Sequence, residues 1–226
     1  MTIKTLKTGL RIILTKLLGK DFSSPSLTRL VRDSQVISFD VFDTLIVRPT
    51  LAVPSDLFDK LSTTPGFKSA RIEAERIART QSTKEDITLE EIYKVLMPTA
   101  SDEELKLAME REINAELKVC KANKPALTFF NACKESGKKI IIISDMYLDS
   151  STIEEILQNC GYDLADVPIY VSSEYGKTKR SGNLFRTVLE HEEVEAGKVL
   201  HIGDNLISDY LMPKKCGMKS FLYRRV

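Results

Sequence analysis

Several features that would fix a function at sight are missing from this sequence. Its four cysteines, Cys120, Cys133, Cys160 and Cys216, follow none of the paired spacings that hold zinc or iron–sulfur. They read as buried, reduced thiols of a cytoplasmic protein. No apolar run nears the roughly 20 residues that a membrane-spanning helix needs, and no secretory leader is evident. A formal net charge of +1 over 226 residues gives no global electrostatic case for nucleic acid. No internal repeat or low-complexity linker appears. The two histidines, His191 in a polar stretch and His201 in an apolar one, suggest ordinary packing rather than chemistry.

What is present is enough apolar material, 42% of residues, for one large domain or a core with a smaller accessory unit. The charge is unevenly placed. Residues 1–20 carry Lys4, Lys7, Arg11, Lys16 and Lys20 and no acid. Ile3, Leu6, Leu10, Ile13, Leu14 and Leu17 recur there at helical spacing, which predicts a basic amphipathic helix. Such a helix either packs on its own domain or docks peripherally on an anionic membrane or a protein partner.

Short apolar runs predict five buried strands: 36–40 (VISFD), 138–144 (KKIIIIS), 167–173 (VPIYVSS), 198–204 (KVLHIGD) and 219–225 (KSFLYRR). Helical stretches alternate with them. STIEEILQNC opens with Ser151 and Glu154 in a capping-box arrangement, and NLFRTVLEHEE is a second helix. Strand–helix alternation implies an α/β fold with a parallel sheet covered on both faces. Residues 52–120 break the rhythm. They are charged and poor in strand signals, and Thr88 with Glu91 and Ser101 with Glu104 form two more capping boxes. The expectation is a helical insertion at 52–120 of about four helices, within a core made of 21–51 and 121–226. Arg71, Arg76 and Arg79 on an insertion helix read as a solvated face paired with Glu73 and Glu75.

In open α/β sheets ligands bind beyond the carboxyl ends of the strands. Three predicted strands end in Asp40, Ser144 and Asp204. Lys179 (KTKRSGNLF) lies between the second and third of these, and Asp209 follows in GDNLISD. Each residue alone has an ordinary explanation as a cap, a turn or a solvated charge. Their order is what carries weight, and at this point a resemblance is recognisable. FDVFDTL, Ser144 in IIIISD, Lys179 in KRSGNLF and GDNLISD resemble the four ordered motifs of the haloacid dehalogenase-like (HAD) hydrolase superfamily. ISFDVFDTLIVR, ISDMYL and SSEYGKTKRSG further resemble a bacterial branch found beside or fused to glycosyltransferases of surface polysaccharide synthesis.

The resemblance, over 36 to about 223, implies a Rossmann-like core with an inserted helical cap. It also implies roles for the motif residues. Asp40 would be the nucleophile. Asp40, Asp204, Asp209 and the backbone carbonyl of Phe42 would hold Mg²⁺. Ser144, the backbone around Asp145 and Lys179 would hold a phosphoryl group. Lys179 is preferred to Lys177 because its spacing to Gly182 and Phe185 fits the motif. Arg48 and Tyr147 are further candidates for substrate contact.

Phe42 departs from the phosphatase pattern, which has a second aspartate there as acid and base. Three readings follow. Asp43 or a cap carboxylate takes over the proton in a phosphatase of a small phosphorylated metabolite such as a sugar phosphate. Or the enzyme is a dehalogenase, a class with an aromatic at that position and no metal. Or the domain is weakly active or non-catalytic and binds a phosphorylated ligand or partner.

Overall fold

The computed structural model describes residues 18–224. The predicted amino-terminal helix therefore lies largely outside the described residues, which begin at Leu18.

Five strands form one parallel sheet in the order β5-β4-β1-β6-β7. They are β1 (Val36–Phe39), β4 (Lys139–Ser144), β5 (Ile169–Val171), β6 (Val199–Gly203) and β7 (Lys219–Leu222). β1 lies between β4 and β6, pairing Phe39 with Ile142 on one side and Ile202 on the other. All four β1 side chains are buried, as are five of six in β4, the IIIIS run. A strand buried on both faces reads as a continuous β-branched stretch, which is why these two were legible. Chain direction across the sheet reverses at β1, the switch point where such folds place their ligands.

Two predicted strands, 167–173 and 219–225, end more than one residue earlier than expected. β5 stops at Val171 because Ser172 and Ser173 turn into a short helix, Ser172–Tyr175. β7 stops at Leu222, and Tyr223 makes an isolated bridge to Lys20. The helix after β4 spans Ser150–Asn159, and its cap is Asp149, whose side chain accepts from the Thr152 N–H at 2.7 Å. The proposed Ser151–Glu154 box is therefore wrong. Two residues within one turn can each cap, and the aspartate sits where the chain leaves the extended region.

The stretch between Val47 and Lys121 holds four helical segments: a 3₁₀ segment Pro54–Lys60, then Phe67–Gln81, Leu89–Leu96 and Asp102–Val119. Thr88–Glu91 and Ser101–Glu104 are both closed capping boxes. The chain leaves the core through β2 (Ile46–Val47) and returns through β3 (Lys121–Ala122), which pair antiparallel. This is an α/β fold with helices gathered as a cap beside the strand ends.

Arg71 corrects the reading of the arginine face. Arg76 and Arg79 do pair with Glu73 and Glu75 at the surface. Arg71 also reaches Glu75, at 3.4 Å, but it is fully buried rather than solvated, forked onto Glu112 of the next long helix at 2.9 and 2.7 Å, and its guanidinium faces the Phe58, Tyr93 and Tyr147 rings. All four cysteines are free; Cys120 and Cys133 are buried, whereas Cys160 and Cys216 are only half-buried. No helix among the described residues is long and apolar enough to cross a membrane.

Candidate active site

Asp40 leaves β1 with its N–H bonded to the Ile202 carbonyl of β6. The chain then turns tightly. The N–H groups of Leu45 and Ile46 both return to the Val41 carbonyl, and Asp43 takes a left-handed conformation, φ 63°. The turn brings Thr44 back over the strand end, where its hydroxyl donates to Asp40 Oδ2 at 2.9 Å. Thr44 was not singled out from sequence. Its signal was the spacing of four residues after Asp40 across a turn.

Lys179 arrives from the loop after Ser172–Tyr175. Its Nζ donates to Asp40 Oδ1 at 2.5 Å and to Asp209 Oδ1 at 2.7 Å, and the side chain is 2% exposed. Its backbone N–H donates to Asp145 Oδ1 at 2.7 Å, fixing the loop against the end of β4. Lys177 points elsewhere, donating to Thr187 Oγ1. Asp209 lies in a π-helical turn, Leu206–Leu211, a rare form that favours functional sites. Its Oδ2 accepts the Asn205 N–H at 2.8 Å. Gly203 is needed for this approach: a Cβ there would lie 2.5 Å from the Asp209 carboxyl carbon.

His201 belongs to this cluster, against the expectation of simple packing. It is fully buried, with Nδ1 2.8 Å from Ser38 Oγ and Nε2 3.3 Å from Asp209 Oδ1. An apolar strand predicts burial of a histidine but not the partner it finds.

Carboxylate oxygens of Asp40, Asp204 and Asp209 all lie within 4.8 Å of one another. Oxygen-only donors of this kind suit a hard divalent cation. Burial removes water from Asp40, and the charges of Asp209 and Asp204 repel its own, so its pKa is pushed up to about 8 despite the opposing pull of Lys179. Burial works against charge on Asp209 too. There Lys179 and the His201 contact prevail and hold its carboxyl below the usual range. Asp209 and Asp40 likewise outweigh burial at Lys179 and hold its ammonium firmly protonated. Three carboxylates facing one ammonium leave negative charge in excess, which a divalent cation would neutralise.

A cleft of about 570 Å³ opens between cap and core beside the turn that follows Asp40, lined by Phe42, Asp43, Arg48, Arg76, Arg79 and Asp145 among others. Arg48 lies in its wall, but the fork is filled by Glu116 of the cap at 2.8 and 2.7 Å. Tyr147 also reaches the wall, and its ring backs onto the Arg71 guanidinium. Ser144 is buried at the end of β4. The cap is tied down beside the cleft. Asp86 bonds Arg79 within the cap and Ser172 Oγ in the core, and Ser172 Oγ accepts the Met146 N–H at 2.9 Å. Glu85 takes the N–H of Thr178 at 2.8 Å and the hydroxyl of Ser181 at 2.5 Å.

Fold and site together define an α/β protein with a buried acidic centre under a helical cap. The chain belongs to the haloacid dehalogenase-like hydrolases, whose family profile matches residues 35–217. Haloacid dehalogenase-like hydrolase domain-containing protein 3 of Danio rerio is 30% identical over 95 residues; the match covers 42% of this chain and 38% of that relative. The chain thus spans well under half the length of that curated relative. Among solved structures, the 2-haloacid dehalogenase of Pseudomonas syringae superposes with a TM-score of 0.62 at 15% identity, covering 84% of this chain and 86% of its own. The HAD family enzyme bt-2542 of Bacteroides thetaiotaomicron gives 0.59 at 14% identity over 85% and 94%. YfnB of Bacillus subtilis in a magnesium-bound form gives 0.57 at 17% identity over 83% and 87%. At these identities the likeness is one of fold.

Proposed function

We propose that the protein is a Mg²⁺-dependent phosphatase of a small phosphorylated metabolite. The observation that carries this reading is Lys179 bridging Asp40 and Asp209, with Asp204 at the same centre. Asp40, Asp204, Asp209 and the Phe42 carbonyl are the groups that would hold the cation. When bound, it supplies positive charge against the phosphoryl oxygens and lets a carboxylate approach a dianion.

The remaining steps fall to the chain's own residues. Asp40 attacks phosphorus; an O–P bond forms to its carboxylate while the bond to the leaving alcohol breaks. Thr44 and Lys179, both bonded to Asp40, orient it for that approach. Ser144, the backbone at Asp145 and Lys179 hold the transferred group. Water then attacks the aspartyl-phosphate, releasing phosphate and restoring the carboxylate. The alcohol needs a proton that Phe42 cannot give, and Asp43, which lines the cleft, is the nearest candidate in sequence. The acidic centre disfavours a dehalogenase, which has no use for a cation beside a departing halide. A sugar phosphate is the substrate class we infer for a cleft of this size that keeps a Phe42 face.

Hydrolysis of p-nitrophenyl phosphate is the test. Turnover with Mg²⁺, lost with a chelator and in Asp40→Asn, is expected. Phosphate binding without turnover would move the protein to the non-catalytic reading, and turnover of a 2-haloacid to the dehalogenase one.

A further inference from the structure

Three arginines line the cleft between cap and core, which at first sight suits a substrate with a second anionic group. The same lining holds four acids, Asp43, Glu75, Glu116 and Asp145, and the arginines are already engaged. Arg48 is forked onto Glu116 at 2.8 and 2.7 Å, and the two side chains are only 10% and 2% exposed. The other bond to Glu116 comes from the Cys120 thiol, at 3.5 Å. An anion that captured Arg48 would leave the Glu116 carboxylate buried with that weak donor. Breaking one side of a buried pair in this way is strongly unfavourable.

Arg79 carries two carboxylates, Glu75 at 3.0 Å and the buried Asp86, which is also bonded to Ser172. A third anion there would meet negative charge in excess. Arg76 pairs with Glu73 at the rim and is well exposed, so water and salt screen whatever attraction it exerts. The rest of the wall is largely uncharged. It includes Pro54, Met146 and Ile72, and Ile72 is 44% exposed.

We propose that Glu116 and Glu75 are specificity-determining residues: by occupying Arg48 and Arg79 they restrict the enzyme to phosphomonoesters whose leaving group carries no second anionic group. This rests on the phosphatase reading, in which the phosphoryl group sits at Asp40 and the leaving group extends into the cleft. Discrimination comes from what the cleft withholds. A neutral polyol or sugar meets apolar surface and satisfied polar groups. A carboxylate or second phosphate enters a place with acids in excess and no guanidinium to receive it, and rejection of the wrong ligand by such mismatches is a general route to specificity.

A matched pair of probes tests this: glucitol 6-phosphate and 6-phosphogluconate, which differ in a terminal hydroxymethyl against a carboxylate. Each is measured as a competitor of p-nitrophenyl phosphate hydrolysis with Mg²⁺. The acid should inhibit the parent protein roughly tenfold less well than the polyol, or worse. Glu116→Gln and Glu75→Gln each leave an arginine with uncompensated charge, and each should narrow that gap by roughly tenfold, on the scale of a hydrogen bond to a charged group. Glu103→Gln, an exposed cap position outside the cleft lining, should leave the gap as it is. Thermal melting shows which variants fold; if Glu116→Gln does not, the less buried Glu75→Gln carries the test. Equal inhibition by the two probes in the parent, or stronger inhibition by the acid, overturns the proposal. A gap unchanged in a folded Gln variant overturns the role of that residue. Should p-nitrophenyl phosphate not be turned over at all, the phosphatase reading falls, and calorimetric dissociation constants for the same two probes still decide the charge preference.

Discussion

The guanidinium of Arg48 lies over the ring of Phe42, its central carbon 4.2 Å from the ring centroid. Glu116 of the cap holds it there with two bonds. Where a phosphatase of this family would present a carboxylic acid, this protein presents an aromatic face covered by a cation that is already neutralised.

Phe42→Asp is therefore expected to restore a proton donor. Turnover of alkyl phosphates, whose leaving groups need protonation, should rise by up to about 10²-fold. Turnover of p-nitrophenyl phosphate should change little, since that leaving group departs as a stable anion. Parallel kcat measurements on the two substrates check this; no difference between them would place the acid and base on another residue.

Gly203→Ala should damage the acidic centre without touching a ligand. The added methyl would lie 2.5–2.6 Å from the Asp209 side chain, so that side chain must move away from Lys179 and His201. Strain of this kind costs roughly 1–3 kcal/mol. The expected result is weaker Mg²⁺ protection in a thermal shift assay together with a lower melting temperature in the metal-free protein.

Arg71→Ala should be among the most destabilising single changes in the cap. It leaves Glu112 buried with only the Tyr93 hydroxyl, 2.9 Å away, as partner. Breaking one side of a buried pair costs about 3–5 kcal/mol. The double change Arg71→Met, Glu112→Leu removes both charges and should recover most of the loss. Urea unfolding of the single and double variants measures the difference.

Stability should depend on pH in opposite senses with and without Mg²⁺. In the metal-free protein the Asp40 pKa, about 8, stands above the ordinary 3.8, so the folded state holds a proton that the unfolded chain releases. That contribution is complete below the unfolded value and is lost as pH rises from about 4 through about 8. Bound Mg²⁺ favours the ionised carboxylate and should reverse the slope. Melting temperatures at several pH values, each with Mg²⁺ and with a chelator, provide the comparison; parallel curves would contradict it.

Much of this could be read from the residues. The β-branched runs of β1 and β4 predicted buried strands because both faces are covered. The Thr88 and Ser101 capping boxes were legible because a capping box is a contact between near neighbours in sequence. The features that escaped depend on distance across the fold. Arg71 shares a helix with Arg76 and Arg79, yet only Arg71 faces Glu112, and no local pattern relates residues 41 positions apart. Ser172 reads as the end of a strand, but it begins a short buried helix and ties Asp86 to the Met146 backbone. His201 and Thr44 reach their partners only because strand register and a tight turn deliver them.

The ribbon of β2 and β3 constrains how the cleft can open. Both connections between the halves run through one short antiparallel pair, Ile46 with Ala122 and Val47 with Lys121. Just beyond it, Asn123 donates to the Thr44 carbonyl at 2.7 Å and to the Tyr223 hydroxyl at 2.9 Å. Thr44 in turn holds Asp40. In the proposed reaction a swing of the helical half would pivot beside Thr44, the residue bonded to Asp40, so that admitting a substrate and aligning the attacking oxygen would be parts of a single movement.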